Sequence, residues 1–204
     1  KRIRDRGGEK PGFFVFPPMP ADSIDGSTLH ALARRCDVAL GTALLRGANG
    51  RTYVLSTPDI HCEWDPATAE HRDSGFPFPM ISYRSAKIGI APFDSFFHPE
   101  LAVAFAKLGC DLVVLSEDRL DHDSRLLCEV KTVENVAVAA CASNGALVAM
   151  VPRGHERWEE QSVEGPGSCS YTIDIHRTRK KRFQDRLDFD LLLRRAPNQR
   201  RSRT

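Results

Sequence analysis

Lys87-Ile88-Gly89-Ile90-Ala91-Pro92-Phe93-Asp94 is the stretch on which the fold of this chain turns. Its apolar middle reads as a strand, and Pro92 closes it because proline has no backbone donor for a sheet ladder. His98-Pro99-Glu100 follows and reads as a helix start, with a carboxylate in the first turn facing the positive end of the helix dipole. The apolar stripe Leu101, Ala104, Phe105, Leu108 carries that helix to Gly109 at its C′ position. Beyond Gly109-Cys110-Asp111, the run Leu112-Val113-Val114-Leu115 has the unbroken apolar character of a strand buried on both faces. Strand, helix, strand in this order predicts a parallel crossover and an α/β fold.

Upstream, Phe13 to Phe16 is a strand stopped by Pro17 and Pro18. Asp25 to Ser27 offers an N-cap to a helix with the stripe Leu29, Leu32, Ala33, Cys36. Val38 to Leu45 and Thr52 to Thr57 form a hairpin about the turn Gly47 to Gly50, where Asn49-Gly50 tolerates positive φ. The polar, proline-punctuated segment from Pro58 to Pro79 reads as one long loop. Downstream, a helix beginning at Asp123-Ser124 presents Leu126, Leu127, Val130 and Val133, and the preceding Asp121-His122-Asp123 supplies capping chemistry. Strands at Val136 to Cys141 and Ala146 to Val151, a loop over 152–168, a last strand at Tyr171 to Ile175 and a basic tail complete the chain.

With 204 residues, 41% of them apolar, the chain is long enough for one sizeable core, and we divide it into a basic linker at 1–11, one domain at 12–193 and a basic tail at 194–204. A formal charge of +2 excludes a whole-surface polyanion-binding field. The basic stretches Arg177 to Arg182 and Arg194 to Arg203 are interrupted by Asp185, Asp188 and Asp190 and lack interleaved aromatics, which favours a solvated or partner-docking segment over contacts with nucleic-acid phosphates. The apolar run Phe189 to Leu193 in that tail is likewise explained by docking. No apolar run approaches the roughly 18 residues of a membrane span. The cysteines at 36, 62, 110, 128, 141 and 169 form no CxxC pair, and this usage fits a reducing, cytoplasmic compartment.

Taken together, the central stretch, Lys131-Thr132-Val133-Glu134-Asn135 at a helix end, Asn144-Gly145 after an alanine- and valine-rich strand, and the late Asp174 before arginines and Asp185-Arg186 resemble the nitrilase, or carbon-nitrogen hydrolase, superfamily. The resemblance spans about Phe13 to Leu193 and implies an αββα sandwich of two sheets with outer helices, assembled through them into oligomers. Few residues precede the first family-like step, so the first strand-helix unit is expected to be missing, or the chain to be a piece of a longer polypeptide.

Members of that superfamily use a cysteine nucleophile, a glutamate base and a lysine at the oxyanion. The chemistry needs all three, because an unassisted thiol is mostly protonated and the tetrahedral intermediate needs a fixed positive group. Here the nucleophile position reads Pro92, the glutamate position reads Pro18, and the window for the lysine, 51–84, contains none, being occupied near its middle by Glu63-Trp64-Asp65-Pro66. We therefore expect a catalytically silent member that acts in assembly, scaffolding or regulation, with a homo-oligomer or a protein partner and no cofactor. The alternatives are an amide or nitrile hydrolase with a displaced site at Cys62 and Glu63, or a non-catalytic small-molecule binding module.

Other reactive-looking groups have plainer readings. His61, Cys62, His71 and Asp73 carry zinc-ligand chemistry at irregular spacing, which favours an ordinary polar loop, and no metal site is expected. Cys110, Cys128 and Cys141 fall in core elements. Asp94, Glu100, Lys131, Glu134, Asn135 and Asn144 are read as structural anchors, Glu134 joining Asp94 through a basic group, because charges near a core persist chiefly when paired.

Overall fold

The computed structural model describes residues 12–47, 50–68, 77–132, 136–150, 159–169 and 172–173. A 5-stranded sheet holds β1 (Phe13–Val15), β2 (Met19–Pro20), β3 (Ala39–Arg46), β4 (Gly50–Ser56) and β5 (His61–Trp64) in the order β1-β3-β4-β5, with β2 also on β3. A 6-stranded sheet holds β6 (Met80–Tyr83), β7 (Ala86–Ile90), β8 (Leu112–Glu117), β9 (Ala137–Ala142), β10 (Gly145–Met150) and β11 (Glu159–Glu164), in the order β11-β10-β9-β8-β7-β6. The helices are α1 (Gly26–Cys36), α2 (Phe93–Phe96), α3 (Pro99–Lys107) and α4 (His122–Thr132).

Three apolar layers order these elements. Leu29 and Ala33 of α1 pack on Leu40, Leu44 and Val54, the outer face of the first sheet. Ala43, Tyr53, Leu55 and Trp64 of that sheet meet Ile81, Ile88, Ile90, Leu112, Val114 and Ala139 of the second. Phe96, Phe105 and Cys128 from the remaining helices cover the far face, on Val113, Leu115, Val138 and Ala140. The architecture is helix, sheet, sheet, helix, as expected, because the central strands are apolar on both faces and must be covered twice.

Local chemistry explains most boundaries. The Asp25 carboxylate accepts from the Thr28 N–H over 2.7 Å and caps α1. Parallel pairing of β7 with β8 and of β8 with β9 realises the predicted crossover. Pro17 and Pro18 interrupt what would be one strand into β1 and β2, both parallel to β3, and the Pro17 carbonyl is held by the Thr42 hydroxyl at 2.9 Å. At Gly89 a Cβ would lie 2.4 Å from Cε1 of Phe105, so glycine is what lets that ring seat on β7.

Several expectations need correction. The segment from Pro58 to Pro79 is not one loop: β5 pairs antiparallel with β4, its Cys62 and Trp64 turned to the inter-sheet core and His61 and Glu63 turned away. That alternation is the strand period, masked in the sequence by polar residues on one side. β6, absent from the sequence reading, is joined to β7 by Arg84 and Ser85, both at positive φ (44 and 63), a turn without the usual glycine or asparagine. Arg84 is held there by the Asp37 carboxylate at 2.8 Å.

The loop expected over 152–168 contains β11, a charged edge strand antiparallel to β10. Residues 172–173 are not in a strand, and the rest of the expected strand at Tyr171 to Ile175 lies outside the described residues, as do Val133 and the basic tail. The expected stripes hold at Leu29 and Ala33 of α1 and at Leu101 and Phe105 of α3, whereas that of α4 is rotated. Cys36, Leu108, Leu126 and Val130 are exposed, Ala102 and Ala106 are buried, and Cys128 is buried as expected.

Candidate functional site

The sandwich brings Pro18 and Pro92 to one end of β8. The Phe16 carbonyl, just before the Pro17-Pro18 turn, accepts from the Ser116 hydroxyl over 3.0 Å, and that hydroxyl in turn accepts from the Ala43 N–H at 3.0 Å. Ser116 is fully buried and links the two sheets. At the next residue, Glu117, one carboxylate oxygen accepts from the Phe93 N–H at 2.9 Å, immediately after Pro92. Pro18 and Pro92 therefore flank the same strand end, both half-buried.

Glu117 anchors the rest. Its other oxygen pairs with Arg51 Nη1 at 3.1 Å, while Arg51 Nη2 pairs with Asp118, whose carbonyl accepts from the Ser143 hydroxyl at 2.7 Å. Burial raises the Glu117 carboxyl above its usual range against the opposing pull of the Phe93 bond and Arg51. Burial likewise pushes the Tyr53 phenol up to about 12. Tyr53 opposes Trp64 across β4 and β5, the rings 5.7 Å apart, and Trp64 meets Phe78 at 5.4 Å. Trp64 thus fills the inter-sheet space with an indole whose buried N–H has no acceptor among the described residues.

Among solved structures, the chain is similar to the amidase of Nesterenkonia sp. AN1. A mutant showing covalent addition of the acetamide moiety of fluoroacetamide at the active-site cysteine shares 14% identity over 89% of this chain and 82% of that one, with a TM-score of 0.55. A double mutant in complex with acrylamide gives 16%, 86%, 75% and 0.52 in the same order. A cysteine-to-alanine mutant, described as from the nitrilase superfamily, gives 15%, 76%, 77% and 0.51. The fold is that of the nitrilase superfamily. At these identities the likeness is one of fold alone. No protein-family model matches the sequence, and no curated protein matches it.

The candidate residues distribute unevenly over this frame. Cys62 and Glu63 lie on opposite sides of β5: Cys62 packs against the inter-sheet core, and Glu63 accepts from, or pairs with, His61 Nε2 at 3.0 Å on the outer face. His71 and Asp73 lie outside the described residues, and among the described residues no three groups are placed to hold a metal ion. Asp94 and Glu100 are exposed in the first turns of α2 and α3, the favourable end of each dipole. Buried Lys131 reaches the His98 carbonyl at 3.4 Å. Glu134 and Asn135 lie outside the described residues, so the expected tie from Glu134 to Asp94 does too.

The Asn144 side chain accepts from the Leu120 N–H at 2.7 Å and donates to the Leu120 carbonyl at 2.8 Å. Arg51, Ser116 and Glu117 were not singled out from the sequence. The one available signal was Glu117 itself, a carboxylate ending a strand whose first four residues are apolar.

Proposed function

We propose that this chain is a catalytically silent nitrilase-fold protein that acts in assembly, scaffolding or regulation. The observation that carries the reading is the state of the elbow after β7. A proline ring stands where the fold's nucleophile would be, and the amide that follows it, a donor suited to a developing oxyanion, is already bonded to the Glu117 carboxylate. An anion placed there would meet a carboxylate rather than a free N–H. Trp64 filling the inter-sheet space adds a steric argument of the same sign.

A hydrolase displaced to Cys62 and Glu63 finds no support in the geometry, since a nucleophile and its base must share one side of a strand. Assembly through a protein partner or a second copy is supported by exposed Leu126 and Val130 on α4, and by exposed Phe97 beside the His98 carbonyl that Lys131 reaches. No described helix is long and apolar enough to cross a membrane. Incubation of the purified protein with a panel of small amides and nitriles tests the silent reading, and release of ammonia above a heat-denatured control would sink it. Sedimentation velocity of the wild type against Leu126→Glu tests the assembly reading, which requires the wild type to sediment faster.

A further inference from the structure

On the outer face of the 5-stranded sheet, under the start of α1, lies a polar cluster that the apolar core does not require. Ser56 ends β4 and is fully buried. Its Oγ stands 3.1 Å from Nδ1 of His30 on α1 and 3.3 Å from Nδ1 of His61, its cross-strand neighbour on β5. The two imidazole rings are 5.3 Å apart between centroids. His61 Nε2 meets Glu63 Oε1 at 3.0 Å, and Glu63 Oε2 lies 3.5 Å from Arg46 Nη2 on β3. The first turn of α1 rests directly on this pair, because a Cβ at Gly26 would fall 1.8 Å from Glu63 Oε1 and 2.9 Å from His61 Nε2.

Serine, histidine and glutamate in a row have the order of a hydrolytic relay. Ser56, however, has no exposed surface and its hydroxyl is bonded on both sides, so no substrate carbonyl reaches it. The cluster is instead suited to counting protons. A hydroxyl carries one proton and accepts two bonds, and neutral imidazole has one donor and one acceptor nitrogen. With both rings neutral, His30 Nδ1–H donates to Ser56, Ser56 donates to His61 Nδ1, and His61 Nε2–H donates to Glu63.

One added proton is accommodated on His61 Nδ1 when His30 shifts to its Nε2–H tautomer and the Ser56 hydroxyl turns to donate to the freed His30 Nδ1, with Glu63 compensating the charge. A second sets two N–H donors on one hydroxyl, leaves the Ser56 proton without an acceptor in the cluster and puts like charges on neighbouring rings. Among the described residues, Glu63 is the carboxylate bonded to either ring, and it already answers the first proton. α1 contributes Arg34 and the Asp25 cap, whose carboxylate is engaged by Thr28 and Ser27. β3 contributes Arg46, which draws on Glu63, and the β4–β5 turn contributes Asp59.

We propose that Ser56, His30, His61 and Glu63 form an acid-sensitive latch: the first added proton is tolerated, and the second frees α1 from the sheet and uncovers the apolar face of Leu40, Leu44 and Val54. The latch is independent of the chemistry at the elbow. Amide hydrogen exchange of α1, corrected for intrinsic rates and followed from about pH 7.5 to about pH 5, reads it in the wild type and in His30→Asn, whose amide bonds Ser56 without titrating. Protection of α1 is expected to fall roughly tenfold or more in the wild type while β8 and β9 stay protected, and to hold in the variant. Protection that ignores pH, or that falls equally in His30→Asn, overturns the latch. Should the variant not fold, imidazole titration of the wild type by NMR decides, two separated steps supporting the latch and two independent single-proton curves refuting it.

Discussion

The backbone N–H of Phe93 and the Glu117 carboxylate are 2.9 Å apart, joining the turn after β7 to the end of the neighbouring parallel strand β8. A donor so held is not available to a substrate. On the proposed silent reading, inactivity has two layers, a proline at position 92 and an amide taken by an internal acceptor, and restoring one should not restore the other.

Pro92→Cys is accordingly expected to remain inactive toward small amides, because the Phe93 amide beside the new thiol stays bonded to the Glu117 carboxylate and is not free to hold an oxyanion. Ammonia release from that single variant above background would show the occupied amide to be no obstacle.

Glu117→Ala should cost about 2–3 kcal/mol, since it strands both the Phe93 amide and one arm of Arg51. Glu117→Gln should cost less and alter the pH profile. Burial raises this carboxyl's native pKa, so the native state holds the proton more tightly than the unfolded chain. The wild type gains most from Glu117 in acid, below the unfolded carboxyl range of about 4.3, and loses that gain as pH rises through the native value. Urea midpoints of wild type minus Glu117→Gln should therefore be greatest near about pH 3.5 and shrink toward neutrality, and a difference that grows with pH contradicts the assignment.

Ser116→Ala removes the hydroxyl that bridges Phe16 and Ala43 across the sandwich and leaves the Ala43 N–H unpaired. A loss of about 1–3 kcal/mol in chemical denaturation is expected. A change below about 0.5 kcal/mol would mean that the sheets do not depend on this bridge.

Thiol labelling of the native protein should begin at exposed Cys36. Burial pushes Cys128 up to about 12 and Cys141 up to about 11, so both should react only on unfolding. Fast modification of Cys128 in a folded sample would place that thiol outside the core described above.

Sequence by itself determined the elements whose signals are local: the Asp25 cap, the β3–β4 hairpin, the run from β7 through α3 to β8, and the prolines at positions 18 and 92, which no packing can turn into a base or a nucleophile. It did not determine β5, β6 or β11, whose polar or short segments become strands only because a neighbouring ladder offers hydrogen bonds to their backbones. Nor did it turn the stripe of α4 correctly, or foresee that Cys36 and Leu108 at the ends of α1 and α3 are exposed, because which face is buried depends on where the sheet lies. The site was decided by tertiary structure alone: Arg51 and Glu117 are separated by 66 positions and Ser116 and Phe16 by 100. Hydrogen bonds and ion pairs act over a few ångströms, and only the packing of one sheet on the other brings such residues within that range.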